Sequence, residues 1–182
     1  MHTLAVAEEC DRMAEMFTLS REDKHTLHTA ALLHDITKEK TPDEQISLCR
    51  VYRIEYPEVY RETPALFHAK TGGPYANELF PELCTARVCD LISTHTTGCV
   101  NMSLMQKLLL LADGIEATRK HKHLIELRDL FYNNPEGNEL SRHLDICVIK
   151  YLDMTISYLI SSNQAIDTET VNARNDLVLK TR

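Results

Sequence analysis

Leu104-Met105-Gln106-Lys107-Leu108-Leu109-Leu110-Leu111-Ala112-Asp113-Gly114-Ile115-Glu116 is apolar on nearly every side of a helix. Ser103 and Gln106 stand at capping-box spacing ahead of it. A helix without a polar face belongs in the middle of a fold, so this one predicts a central buried helix wrapped by others. Five glycines, six prolines, no tryptophan and abundant Leu, Ala, Glu and Lys agree with an all-α bundle. Asp113 then lies in the most hydrophobic segment of the chain, where an unpaired carboxylate is least tolerable. It needs a cation.

The 182 residues suit one domain, or a domain plus an appendage, with room for a sizeable core. A formal charge of -7 and a pI near 5.7 argue against a nucleic-acid polymer as partner, because proteins that track phosphate backbones are normally basic. A small anion remains compatible with local cations or metal ions. Cys10, Cys49, Cys84, Cys89, Cys99 and Cys147 show no C-x-x-C spacing and read as free thiols of a reducing compartment. No signal peptide or apolar run approaching ~20 residues is present, so the expected location is the cytoplasm, with no membrane contact. Whether the chain pairs into a homodimer is left open.

Other residues repeat the Asp113 problem in milder form. Ala30-Ala31-Leu32-Leu33 packs small and apolar residues at helical density and ends in His34-Asp35, with Thr37 and Lys38 next. A buried imidazole beside a carboxylate calls for a mutual hydrogen bond, a salt bridge or a metal ion. The dipeptide alone is equally an ion pair at a frayed helix end. His2 opens an apolar-faced helix and, alone, would fray. His68 sits on an apolar stretch followed by Lys70, Thr71, Gly72 and Gly73, whose small residues would let a ligand approach the backbone; alone it is equally a core histidine ahead of a loop. A helix expected over Pro81–Thr94 ends in His95-Thr96-Thr97-Gly98, and Arg119 follows Asp113 closely enough to reach it. Thr41-Pro42-Asp43-Glu44 starts a helix that fades near Arg53, residues 124–133 form one stopped by Asn133-Asn134-Pro135, and a long helix runs from about Glu139 to Ser161. A last capped helix begins near Asp167.

Taken together, His2, His34-Asp35, His68, His95 and Asp113 come one per helix or helix end, the way helical proteins assemble a metal site from facing segments. The order H…HD…D resembles the HD-domain metal-dependent phosphohydrolases, and the two intervening histidines match the subset with a two-metal centre. The words Leu32-Leu33-His34-Asp35-Ile36-Thr37-Lys38, His68-Ala69-Lys70-Thr71-Gly72, His95-Thr96-Thr97-Gly98, Ala112-Asp113-Gly114-Ile115-Glu116 and Thr170-Val171-Asn172-Ala173-Arg174-Asn175 are similar to the YqeK family of bacterial HD-domain hydrolases. These split diadenosine tetraphosphate symmetrically into two ADP. The likeness spans essentially the whole chain. It implies a single compact HD domain over 1–182, with the metal-site core over about 1–120 and the helices from about 121 to 182 packed on it.

The resemblance implies His2, His34, Asp35 and Asp113 around one metal, with Asp35 bridging to a second held by His68 and His95. Such N/O ligands in an open octahedral set suit iron, manganese or cobalt, and the family points to iron. It also implies attack by a metal-bound hydroxide with ADP as leaving group, Asp35, Lys38 and Arg119 in catalytic roles, and Lys38, Lys70, Thr71, Thr96 and Arg119 on the nucleotide. Two departures from the family pattern stand out. His2 follows Met1 with no helix ahead of it, so either the start is trimmed or the first ligand hangs on a loose end; and Gly73-Pro74 replaces an Ala-aromatic pair, which alters the pocket floor. The alternatives are an HD phosphatase acting on mononucleotides and a degenerate nucleotide-binding sensor.

Overall fold

The computed structural model describes residues 1–133 and 139–181, and among them there are ten α-helices and no strand. They are α1 (His2–Met16), α2 (Arg21–Leu33), α3 (Pro42–Tyr52), α4 (Val59–Glu62), α5 (Phe67–Leu79), α6 (Ala86–Thr94), α7 (Leu104–Ile115), α8 (Lys122–Tyr132), α9 (Leu140–Ser161) and α10 (Thr168–Thr181), with a 3-10 turn over Pro64–Leu66. Among the described residues, no helix is long and apolar enough to cross a membrane. The helix starts follow local chemistry. Ser20 and Thr85 accept from the backbone N–H groups of Asp23 and Val88, and Thr41–Glu44 and Ser103–Gln106 close full capping boxes. α3 ends at Arg53, whose φ of 55° is left-handed. At the end of α8, Asn134 and Pro135 lie outside the described residues.

α7 is the axis. Leu108, Leu109, Leu110, Leu111, Ala112 and Ile115 are all fully buried, and α1, α2, α6, α8 and α9 pack around them. α9 presents Leu144, Cys147, Val148 and Leu152 to this core, while Ile156 and Leu159 farther along it are only half-buried. α10 lies on α9 and buries Thr170, Ala173 and Leu177. Gly98 takes φ +67° in the turn after α6, and a Cβ there would come within 3.1 Å of Ala173 and of the Met102 sulfur. Cys49, Tyr60 and Phe67 form a separate small cluster. All six cysteines are free thiols.

Two expectations about local structure are corrected. The helix expected from Pro81 begins at Ala86 instead, because residues 81–84 turn back on Phe80 and Thr85 supplies the cap. The loop expected after His68 is helical: α5 runs through Gly72, Gly73 and Pro74. Its glycines serve helix packing, not ligand approach. A Cβ on Gly73 would meet the Cα and carbonyl oxygen of Cys89 on α6 at 3.0 Å, and one on Gly72 would meet the Ile92 side chain at 3.0 Å. Gly73 therefore marks the α5–α6 contact rather than a pocket floor.

Candidate metal centre

Three of the histidines are aimed by one device. His34 caps the end of α2 and donates Nδ1–H to the Ala31 carbonyl at 2.7 Å; His95 caps α6 and donates to Ile92 at 2.7 Å; His68, one residue into α5, donates to Ala65 at 2.5 Å. Each uses the carbonyl three residues earlier, which fixes the ring and turns Nε2 inward. His2, the first residue of α1, finds its acceptor elsewhere: its Nδ1 lies 3.1 Å from Oε1 of Glu116 at the end of α7. This contact ties His2 to the end of the central helix.

The four Nε2 atoms converge on two carboxylates. Asp113 Oδ1 is 3.0 Å from His2 and 3.9 Å from His34. Asp35 divides its oxygens: Oδ2 faces His34 at 3.4 Å and His2 at 3.7 Å, while Oδ1 faces His68 at 3.2 Å and His95 at 3.8 Å. His68 and His95 bring their Nε2 atoms within 3.0 Å of each other. His2–His34–Asp113 and His34–Asp35–His95 each place three ligand atoms within 4.8 Å of one another. Nε2 of His2, Nε2 of His34 and Oδ1 of Asp35 are buried without a hydrogen-bond partner. Buried polar atoms are normally satisfied, and inward imidazole and carboxylate lone pairs are what a divalent cation accepts. The residues fit metal.

Electrostatics supports the same reading. Burial alone would raise the Asp35 carboxyl, but the facing His34 and His68 rings, with Lys38 donating to it, hold it well below the usual carboxylate range. Asp113 is likewise held low against its burial by His2, His95, His34 and Arg119. Burial, with His34 and His68 adjacent, pushes His95 down to about 3, which keeps it neutral and ligand-competent near neutral pH. The Asp113 carboxylate facing its Nε2, with Glu116 on Nδ1, raises His2 against the lowering effect of burial. Burial pushes Glu116 up, but hydrogen bonds from Thr118 and then His2 outweigh it and hold the carboxyl low.

The residues expected on the nucleotide divide. Lys38 donates to Asp35 Oδ2 at 2.8 Å from an exposed position. Arg119 donates Nε–H to the Asp113 carbonyl at 2.9 Å and a terminal N–H to Oδ1 at 2.8 Å, so it flanks the cluster too. Lys70 points away and ion-pairs Glu169 of α10 at 2.8 Å. Thr96 has its hydroxyl oxygen buried without a partner next to His95. Thr71 is a correction: it is fully buried, its hydroxyl bonded to Gln45 at 2.5 Å, Thr37 at 2.9 Å and the Phe67 carbonyl at 3.1 Å. With Thr37 donating to the His68 carbonyl at 3.2 Å, this network ties the turn after His34-Asp35 to the start of α5 and so sets the spacing of Asp35 and His68. Beside His68, Lys38, Lys40, Gln45 and Ala65 line a cavity of about 160 Å³.

Glu116, Thr37 and Gln45 carry no role in the sequence reading. Glu116 had a usable signal, since an acid three residues after Asp113 lies on the same helix face.

The chain is similar along most of its length to three bacterial proteins named symmetrical bis(5'-nucleosyl)-tetraphosphatase. Identity is 28% to that of Halalkalibacterium halodurans and 26% to that of Bacillus subtilis, each over 98% of this chain and 88% of the relative. It is 25% to that of Staphylococcus aureus, over 96% and 84%. A crystal structure from Clostridium acetobutylicum, described as a predicted HD superfamily hydrolase involved in NAD metabolism, superposes with a TM-score of 0.83 at 26% identity, covering 98% of this chain and 88% of that one. The HD-domain family model matches residues 1–118, which take in all six residues of the histidine–aspartate cluster. The chain belongs to the HD-domain family.

Proposed function

We propose that this chain hydrolyses diadenosine tetraphosphate symmetrically, adding one water across the central P–O–P bridge to release two ADP. The observation that carries the reading is the divided coordination of Asp35, one oxygen toward His2 and His34 and the other toward His68 and His95. Such a carboxylate is built to bridge two cations. The names of the full-length relatives direct the substrate.

In this reading His2, His34, Asp35 and Asp113 hold one divalent ion, and Asp35, His68 and His95 hold the other, iron first, with manganese or cobalt as substitutes. Bound there, two metal ions supply Lewis-acid neutralisation of phosphate charge and lower the pKa of water. The rest is positioning and charge, which is most of what phosphoryl transfer asks of a protein. The i−3 carbonyls lock three of the rings, and Lys38 and Arg119 hold positive charge at the rim, where the polyphosphate would lie against the cluster. Lys40, beside the cavity next to His68, adds a second cation on that side. The domain is single, with α8, α9 and α10 completing the core around α7.

The test is anaerobic reconstitution with ferrous iron, incubation with diadenosine tetraphosphate, and anion-exchange separation of products. ADP as sole product is expected. AMP with ATP would reject symmetrical cleavage, and no product from metal-replete protein would reject the hydrolase.

A further inference from the structure

Glu116 is out of place as a stabilising residue. It caps the C-terminus of α7, where the helix dipole disfavours an anion, and it is fully buried. A charge so placed persists only if other groups hold it. Thr118 donates to it from its backbone N–H at 2.5 Å and its hydroxyl at 2.7 Å, Arg119 Nε lies 3.5 Å away, and Arg128 donates to the neighbouring carbonyls of Ile115 and Glu116. All of this holds one carboxylate oxygen 3.1 Å from His2 Nδ1.

We infer that Glu116 is the positioning residue of His2, doing from the end of α7 what the i−3 carbonyls do for His34, His68 and His95. The carboxylate accepts Nδ1–H, which fixes the tautomer with the lone pair on Nε2, and Nε2 is the atom that faces Asp113 and Asp35. Because Asp113 and Glu116 share one face of α7, ligand and orienting group move as a rigid pair. His2 is therefore set by the central helix as well as by α1. This rests on the reading of His2 as a metal ligand.

The experiment is calorimetric titration of Mn²⁺ into metal-free wild type, Glu116→Ala and Glu116→Gln, resolving both binding steps. Loss of an outer-shell partner typically weakens a metal site by ~10–100-fold. In E116A one step is expected to weaken about that much while the other stays within about threefold. E116Q keeps an oxygen for Nδ1–H and is expected to recover most of the loss. Should E116A fail to fold, Glu116→Asp, which draws the charge back one methylene, takes its place with the same expectation. A folded E116A or E116D with both steps unchanged overturns the inference, as does equal weakening of both steps or no recovery in E116Q. Wild type that takes up no Mn²⁺ overturns the metal reading itself, and the role of Glu116 with it.

Discussion

Gly72 and Gly73 stand side by side on α5, and alanine at each should have unequal consequences. In an open helix either substitution would stabilise by ~1 kcal/mol, because glycine is the poorer helix former. At Gly73 the new methyl would sit 3.0 Å from the Cα and carbonyl oxygen of Cys89 and 3.1 Å from its Cβ. None of these atoms can swing aside, so α5 and α6 must part by a few tenths of an ångström. Overpacking of this kind costs ~1–3 kcal/mol, and with backbone as the obstacle the upper half of that range applies. The net expectation for Gly73→Ala is a loss of about 1–2 kcal/mol. At Gly72 the close contact is the Ile92 Cγ2 methyl at 3.0 Å, the tip of a side chain, and the next is the His34 carbonyl at an ordinary 3.5 Å. Gly72→Ala should stay within about 1 kcal/mol of wild type. For a chain of this length, ~2–4 °C per kcal/mol turns the G73A loss into a melting temperature about 2–8 °C below wild type, with G72A the higher of the two variants, read by circular dichroism at one protein concentration. G73A equal to or above G72A would refute the packing argument and return the glycine pair to a ligand-facing role.

Asp35→Asn should lower metal content and drop turnover by more than ~100-fold, the upper end of losses for outer-shell partners, because both ion positions lose a shared anionic ligand; elemental analysis showing two retained ions would contradict this. Metal-free protein should lose stability as pH falls from about 6.5 toward 4, by at most ~1.4 kcal/mol per pH unit. The sign follows from His95, whose folded value of about 3 lies below its unfolded one, so its contribution is present above pH 6.5 and fades on acidification, whereas the raised His2 changes only above 6.5. Urea midpoints at pH 7 and 5 measure it, and His95→Gln should flatten the slope. Lys70→Ala and Glu169→Ala should each cost ~1 kcal/mol or less, as a partly exposed ion pair does, with turnover within about twofold; a large fall in turnover for K70A alone would put Lys70 back on the substrate.

What the sequence made legible was whatever depends on residue type at short range. The hydrophobicity of Leu104–Ile115 predicted a central helix, and Asp113 within it predicted a cationic partner; both follow from the cost of exposing leucine or burying charge, which any fold must respect. Thr41–Glu44 and Ser103–Gln106 marked helix starts because capping is local. The histidines assembled because each terminates or begins a helix, and helix ends in a bundle meet around its axis. Misreadings came where a residue's use is decided by something distant. Gly72-Gly73 reads as a loop on local propensity, since nothing nearby reveals that Cys89 will pass within 3.0 Å. Thr71 looks like a ligand-facing hydroxyl beside Lys70 until Gln45, 26 residues away, takes it. Glu116 shows this most sharply. Its face-sharing with Asp113 was visible in the spacing, yet its partner is His2, 114 residues away in sequence. A helix C-terminus is where an acid has least local reason to be, so a buried one there records a demand made by the tertiary structure. The same test, a residue that local physics disfavours but the fold surrounds with donors, separates the residues that aim the cluster's ligands from those that only pack around it.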